Sequence, residues 1–95
     1  MKLAWSTRAV EEVHSLRRYS VDHWGQAVAL RYLADLRDAA KTVARSPERA
    51  RPLRPPYRLL PVRSHVLILH VDETAGLLTV ARVLHAAMDI GRHLP

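Results

Sequence analysis

The side chains of this chain best equipped for chemistry lie in its C-terminal half. Arg58, Arg63 and Arg82 offer guanidinium groups able to grip phosphate, and His85 stands three residues beyond Arg82 at the end of an apolar run. Cleavage of RNA by its own 2′-hydroxyl needs a base, a cation to hold charge on the phosphate, and an acid for the leaving oxygen. These residues could supply part of that set. Other groups able to act as acid or base are few in this half: the last tyrosine is Tyr57, the glutamates are Glu48 and Glu73, and the chain's only lysines are Lys2 and Lys41.

Each of these residues also has a plainer role open to it. His85 could hydrogen-bond the backbone where a strand turns into the tail, which is the favoured reading. Arg82 could pair with Asp89 or Glu73, or face a partner. Arg58 and Arg63 read as solvated, with an acidic partner or target as the alternative. His14, His23, His65, His70 and His93 lack a metal-ligand spacing, and there is no cysteine. No metal and no cofactor are expected.

The elements that must position these residues can be read from periodicity. Lys2 to Trp5 reads as a short strand, and Ser6 as a helix N-cap without a full capping box, because Ala9 stands where a glutamate would close it. Ala9, Val13, Leu16 and Ser20, widened by Val10 and Tyr19, give one buried face of a helix of about four turns that ends at Trp24 and Gly25. Trp5 and Trp24 are expected in the core. A second helix carries Ala29, Tyr32, Leu33, Leu36, Ala40, Val43 and Ala44 on one side and stops at Ser46 and Pro47. So short a turn between them predicts an antiparallel helical hairpin.

From Pro47 to Pro61 five prolines (Pro47, Pro52, Pro55, Pro56, Pro61) mix with Arg49, Arg51, Arg54 and Arg58, just behind Arg45. This is an extended basic segment that passes over the surface and enters a strand at Tyr57 to Leu60. Ser64 to Val71 and Leu77 to His85 follow as a β-hairpin about the loop Asp72 to Gly76, and the tail can make one helical turn near Met88 and Asp89. The order β-α-α-β-β-β predicts one α+β domain over residues 1–95, a helical hairpin on one face of a small antiparallel sheet with a short C-terminal tail.

Strict alternation would put Leu67, Leu69 and Val71 opposite Val66, Ile68 and His70, and Leu78, Val80, Arg82 and Leu84 opposite Leu77, Thr79, Ala81, Val83 and His85. Both faces of the sheet are then largely apolar, while two helices cover only one. The other is expected to be an exposed patch for a protein partner, with Arg82 or His85 at its border. The alternative is that the Pro-rich segment and the tail fold over it.

Composition sets wider limits. Fifteen Lys and Arg against nine Asp and Glu give a net charge of +6, and thirteen of the fifteen are arginine, which favours an acidic or nucleic-acid partner. Few aromatics, no Phe and no interleaving with the basic residues argue against a base-stacking single-strand binder. The N-terminus lacks the apolar run of a secretory signal, and Val66 to Val71 is far too short to span a bilayer, so a cytoplasmic protein without membrane contact is expected.

The ordered set Ser6, Ala9, Val13, Leu16, Tyr19; Trp24-Gly25; Ala29, Tyr32, Leu36; Ser46-Pro47; Tyr57-Arg58; Ser64-His65-Val66; Arg82-Val83-Leu84-His85 with Met88-Asp89 resembles the ParE branch of the RelE/ParE toxins of bacterial type II toxin–antitoxin pairs. Leu69-His70 departs from it, since relatives often carry an aromatic at the first position. The resemblance implies a growth-inhibiting toxin held inactive by an antitoxin, whose acidic, disordered C-terminal segment folds along the toxin surface and whose other end binds the operon's DNA. The toxin would then touch DNA only indirectly. It further implies inhibition of DNA gyrase by binding, without chemistry of its own. The alternatives are a ribosome-dependent mRNA endonuclease of RelE type, in which Arg82, His85 and Arg63 would be catalytic, and an inactive relative that only binds antitoxin. The residues expected to meet a partner are Tyr57, Arg58, Arg63, Arg82, His85 and Met88.

Overall fold

In a computed structural model that describes residues 1–94, strand β1 (Lys2–Trp5) leads into helix α1 (Thr7–Trp24) and helix α2 (Gln26–Arg45). A 3-10 turn (Pro47–Arg49), the two-residue strand β2 (Arg51–Pro52), β3 (Tyr57–Val62), β4 (His65–Asp72), β5 (Leu77–His85) and a second 3-10 turn (Ile90–His93) complete it. The sheet order is β1-β5-β4-β3-β2. β3 to β5 pair antiparallel, as expected, and the short β2, not anticipated from the sequence, pairs antiparallel with β3; β1, however, lies parallel to β5, so the sheet is mixed. The chain between them, which holds both helices and strands β2 to β4, is long enough to permit a parallel pair.

The helices form where the apolar stripes place them. Ser6 caps α1 by accepting the Ala9 N–H at 3.0 Å. Gly25 takes φ 85°, a conformation that favours glycine; it donates to the Val21 carbonyl and accepts from the Ala29 N–H, so one residue ends α1 and starts α2. Ala9, Leu33, Leu36, Ala40 and Val43 pack on Leu67, Leu69, Leu78, Val80 and Val83 of the sheet, with Trp5 partly buried beside them. Three residues expected on this face lie outside it: Val10 is 40%, Tyr19 52% and Trp24 57% exposed. Tyr19 and Trp24 lie in the last turns of α1, next to the Gly25 turn that joins the two helices.

The last strand departs from strict alternation. Ile68 pairs with Arg82 but Leu69 with Val80, so Ala81 is an extra residue, a β-bulge. Leu78, Val80 and Val83 therefore share the helix side, where period two would place Val83 opposite the first two. Leu84 joins Leu59, Val66 and Ile68 on the other side. Backbone groups near the bulge are satisfied from α1 and its cap: the Ser6 hydroxyl donates to the Ala81 carbonyl at 2.8 Å, and the Val83 N–H donates to Glu12 at 2.8 Å.

The expectation of an exposed apolar sheet face is overturned. Leu53 and Tyr57 from the Pro-rich segment and Ile90 and Leu94 from the tail cover Leu59, Val66, Ile68 and Leu84, making a second, smaller core. The tail's helical turn forms at Ile90–His93, just beyond Met88 and Asp89.

Candidate functional site

A groove of about 890 Å³ runs between α1 and the ends of β4 and β5, and most of the chain's polar chemistry lines it. On the α1 side stand Arg8, Glu11, Glu12, Tyr19 and Trp24; facing them are Tyr32, Ser64, His65, Arg82 and His85.

Arg82 is held inside the fold. Its Nε lies 3.1 Å and its Nη2 2.9 Å from Oε2 of Glu12, while Nη1 donates to the His93 carbonyl at 3.0 Å. Two of its three nitrogens thus serve one carboxylate, and the third anchors the tail. The partner is Glu12, not Asp89 or Glu73: Asp89 pairs with Arg92, and Asp72, at the head of the hairpin loop, accepts from the Ala75 N–H. No sequence spacing announces a contact between residues 70 positions apart.

His65 and His85 meet across the β4–β5 pair, ring centroids 5.3 Å apart and nearly perpendicular. The Tyr32 hydroxyl accepts from the Ser64 N–H and shares a hydrogen bond of 2.6 Å with Nδ1 of His65. His65 is held below the usual histidine pKa, first by burial and then by the charge of His85 alongside. The Ala87 N–H donates to Nδ1 of His85 at 3.1 Å. His85 thus makes the backbone contact at the strand exit that its position suggested. In the neutral form His85 spends its basic nitrogen on an internal bond and offers only an Nε2–H outward, a donor and not a proton acceptor.

The remaining candidates are dispersed. Arg63, at φ 55° in the tight β3–β4 turn, pairs with Asp35 at 2.7 Å and lies over the Tyr32 ring. Arg58 donates to the Ala50 carbonyl at 2.9 Å and Tyr57 packs in the second core, so both fasten the Pro-rich segment. Met88 is 40% exposed in the turn after His85. The structure therefore brings His85 and Arg82 to one groove, with Arg63 beside its Tyr32 wall, and sets Tyr57 and Arg58 on another face. Sequence reasoning missed Glu12, Tyr32 and His65 as groove residues. The i, i+1 step Ser64-His65 at a strand start was the available signal for the last.

A family model described as "ParE toxin of type II toxin-antitoxin system, parDE" matches residues 3–90. The chain belongs to this ParE toxin family. Among curated proteins it is similar to Toxin ParE1 of Mycobacterium tuberculosis, in both the CDC 1551 / Oshkosh and H37Rv strains, with 40% identity over 76 residues covering 77% of this chain and 76% of the relative. A solved structure described as the chromosomal ParDE TA system from P. aeruginosa has the same fold, at a TM-score of 0.79 and 19% identity over 90% of this chain and 95% of that one. The protein is thus a ParE-type toxin of a type II toxin–antitoxin system. Among its described residues no helix is long and apolar enough to cross a membrane, and no group of three or more His, Asp or Glu is placed to hold a metal.

Proposed function

We propose that this toxin acts by binding DNA gyrase, not by cutting RNA, and that a cognate antitoxin neutralises it by laying its C-terminal segment into the α1 groove. The observation that carries the first part is the engagement of the groove's reactive groups inside the fold. Arg82 is spent on Glu12 and His93, and His85 turns its basic nitrogen to Ala87, so a cation and a base for phosphodiester cleavage are both withdrawn. The second part rests on Tyr19 and Trp24, large aromatic side chains more than half exposed at one end of the groove, where they contribute little to the core. Aromatic anchors beside a concave surface are what a folding peptide segment uses. His85 lines the same groove, Arg63 lies over its Tyr32 wall, and these two, with Met88 exposed in the turn after His85, are the residues offered to the partner. Arg82 contributes by fixing the wall, while Tyr57 and Arg58 lie outside the groove.

The test is an assay of the purified protein with DNA gyrase and plasmid, run beside a ribosome-programmed mRNA cleavage assay. Loss of supercoiling or accumulation of cleaved plasmid, with mRNA intact and activity abolished by antitoxin, is the expected result. Cleaved mRNA with gyrase untouched would overturn the reading. Inactivity in both assays would leave an antitoxin-binding relative.

A further inference from the structure

The charge of the chain is not spread over its surface. Residues 45–58 hold five arginines against the single Glu48, a net +4 of the chain's +6. Arg45, Arg49, Arg51 and Arg54 are all exposed, and among the described residues none of them forms an ion pair. Arg45 sits in the last turn of α2, where a cation suits the helix carbonyl end. Arg49, Arg51 and Arg54 have no such local reason.

The segment that carries them is fixed. Ala50 is buried in the main core and Leu53 packs in the second. β2 pairs with β3, Arg58 clamps the Ala50 carbonyl, and the Leu53 N–H donates to the Tyr57 carbonyl. Pro47, Pro52, Pro55 and Pro56 restrict the backbone between these anchors. Apolar side chains thus point inward and guanidinium groups outward along one rigid ridge. Gathered like charges repel one another and destabilise the free protein, a cost that a polyanion removes.

We infer that this arginine ridge is a direct docking site for the phosphate backbone of duplex DNA. A docked acidic peptide would need apolar anchors between the charges, and the ridge exposes none apart from its prolines. Stacking on unpaired bases would need exposed aromatics, and the nearest, Tyr57, is half-buried in the second core. What remains is recognition by charge alone, which is how a protein holds the DNA backbone without regard to sequence. The inference rests on the placement of charge and stands or falls apart from the gyrase reading; the family resemblance implies contact with DNA only through the antitoxin.

The test compares wild type with two charge-matched triple variants, R49Q/R51Q/R54Q on the ridge and R17Q/R31Q/R37Q on exposed helix positions, by fluorescence anisotropy with a short random-sequence duplex. Thermal unfolding confirms that both fold as wild type does. The ridge variant is expected to bind at least about tenfold more weakly at low salt, with the log–log salt slope reduced by roughly 2.7, about 0.9 for each phosphate left without its arginine. The helix variant should change affinity by less than about threefold, as screened distant charge would. Equal losses in both variants, or no duplex binding by wild type at low salt, would overturn the inference. So would tighter binding of single-stranded DNA, or of a polyglutamate peptide of matched charge, than of the duplex.

Discussion

Glu12 and Arg82 join the first helix to the last strand: one carboxylate accepts two guanidinium nitrogens and the Val83 backbone N–H. β1 pairs with β5 only as far as Trp5 opposite Val80. Beyond that point β5 would be a bare edge, distorted further by the bulge at Ala81. The Glu12 carboxylate and the Ser6 hydroxyl take the place of the missing strand, and Arg82 neutralises the carboxylate while holding the tail through the His93 carbonyl.

Glu12→Ala should therefore cost more than a helix-surface substitution. It leaves Arg82, whose side chain is 9% exposed, without its counter-charge and the Val83 N–H without an acceptor. A loss of roughly 3 kcal/mol is expected, the low end for a broken buried pair because Glu12 keeps some exposure to solvent. Urea denaturation checks it. The double variant E12L/R82M should recover part of the loss, since no charge is then stranded. A single variant within about 0.5 kcal/mol of wild type would show that the pair does not contribute to stability.

The helices were legible because their stripes are regular: Ala29, Leu33, Leu36, Ala40, Val43 and Ala44 are all buried as spacing predicts. The hairpin strands were legible for the same reason. The bulge was not, because nothing in Val80-Ala81-Arg82-Val83 distinguishes an extra residue from a regular step, and one such residue reverses the face of everything after it. The covered sheet face failed for a different reason. Leu53, Ile90 and Leu94 are isolated apolar residues in segments with no period, so their burial becomes visible only once the sheet they cover exists. At the groove, His85 was found from its position at the strand exit, whereas Glu12 and Tyr32 lay within helices and could be paired with Arg82 and His65 only in three dimensions.

The second core gives a prediction at Ile90. Its side chain packs with Leu94 over Leu59, Val66, Ile68 and Leu84, and is partly buried. Ile90→Ala should cost about 1–2 kcal/mol, below the range for fully buried isoleucine, and raise the fluorescence of a dye that binds exposed apolar surface. Unchanged dye binding and stability would mean that the tail does not hold this face in solution.

His65 sets a pH dependence whose sign is fixed by its lowered pKa. Between the folded-state value and the ordinary histidine value of 6.5, the unfolded chain binds more protons than the folded one. The contribution of neutral His65 is thus complete above pH 6.5 and is lost as pH falls from there toward the folded-state pKa. The stability difference between wild type and His65→Asn should shrink over that window. Replacing His85 by Asn removes the second cause of the shift, so the His65 ring resonance should titrate at higher pH than in wild type, while burial still holds it below normal. An unchanged His65 midpoint in that variant would show that the two rings do not interact.

Trp24 separates the docking groove from the fold. It is 57% exposed and touches Tyr19 and His23, its neighbours at the end of α1, in edge and tilted geometries. Removing it should leave stability within about 1 kcal/mol of wild type, since little buried area is lost. If the antitoxin segment seats in the groove, Trp24→Ala should weaken the complex by about 2 kcal/mol, roughly thirtyfold, as loss of an aromatic anchor does. Tyr19→Ala should weaken it by a comparable factor, whereas Pro61→Ala, on an exposed residue of β3 that does not line the groove, should leave affinity unchanged. Calorimetric titration with the cognate antitoxin measures all three. Undiminished affinity in both aromatic variants would place the antitoxin on another surface, and Tyr19 and Trp24 would then be the first residues to test against gyrase.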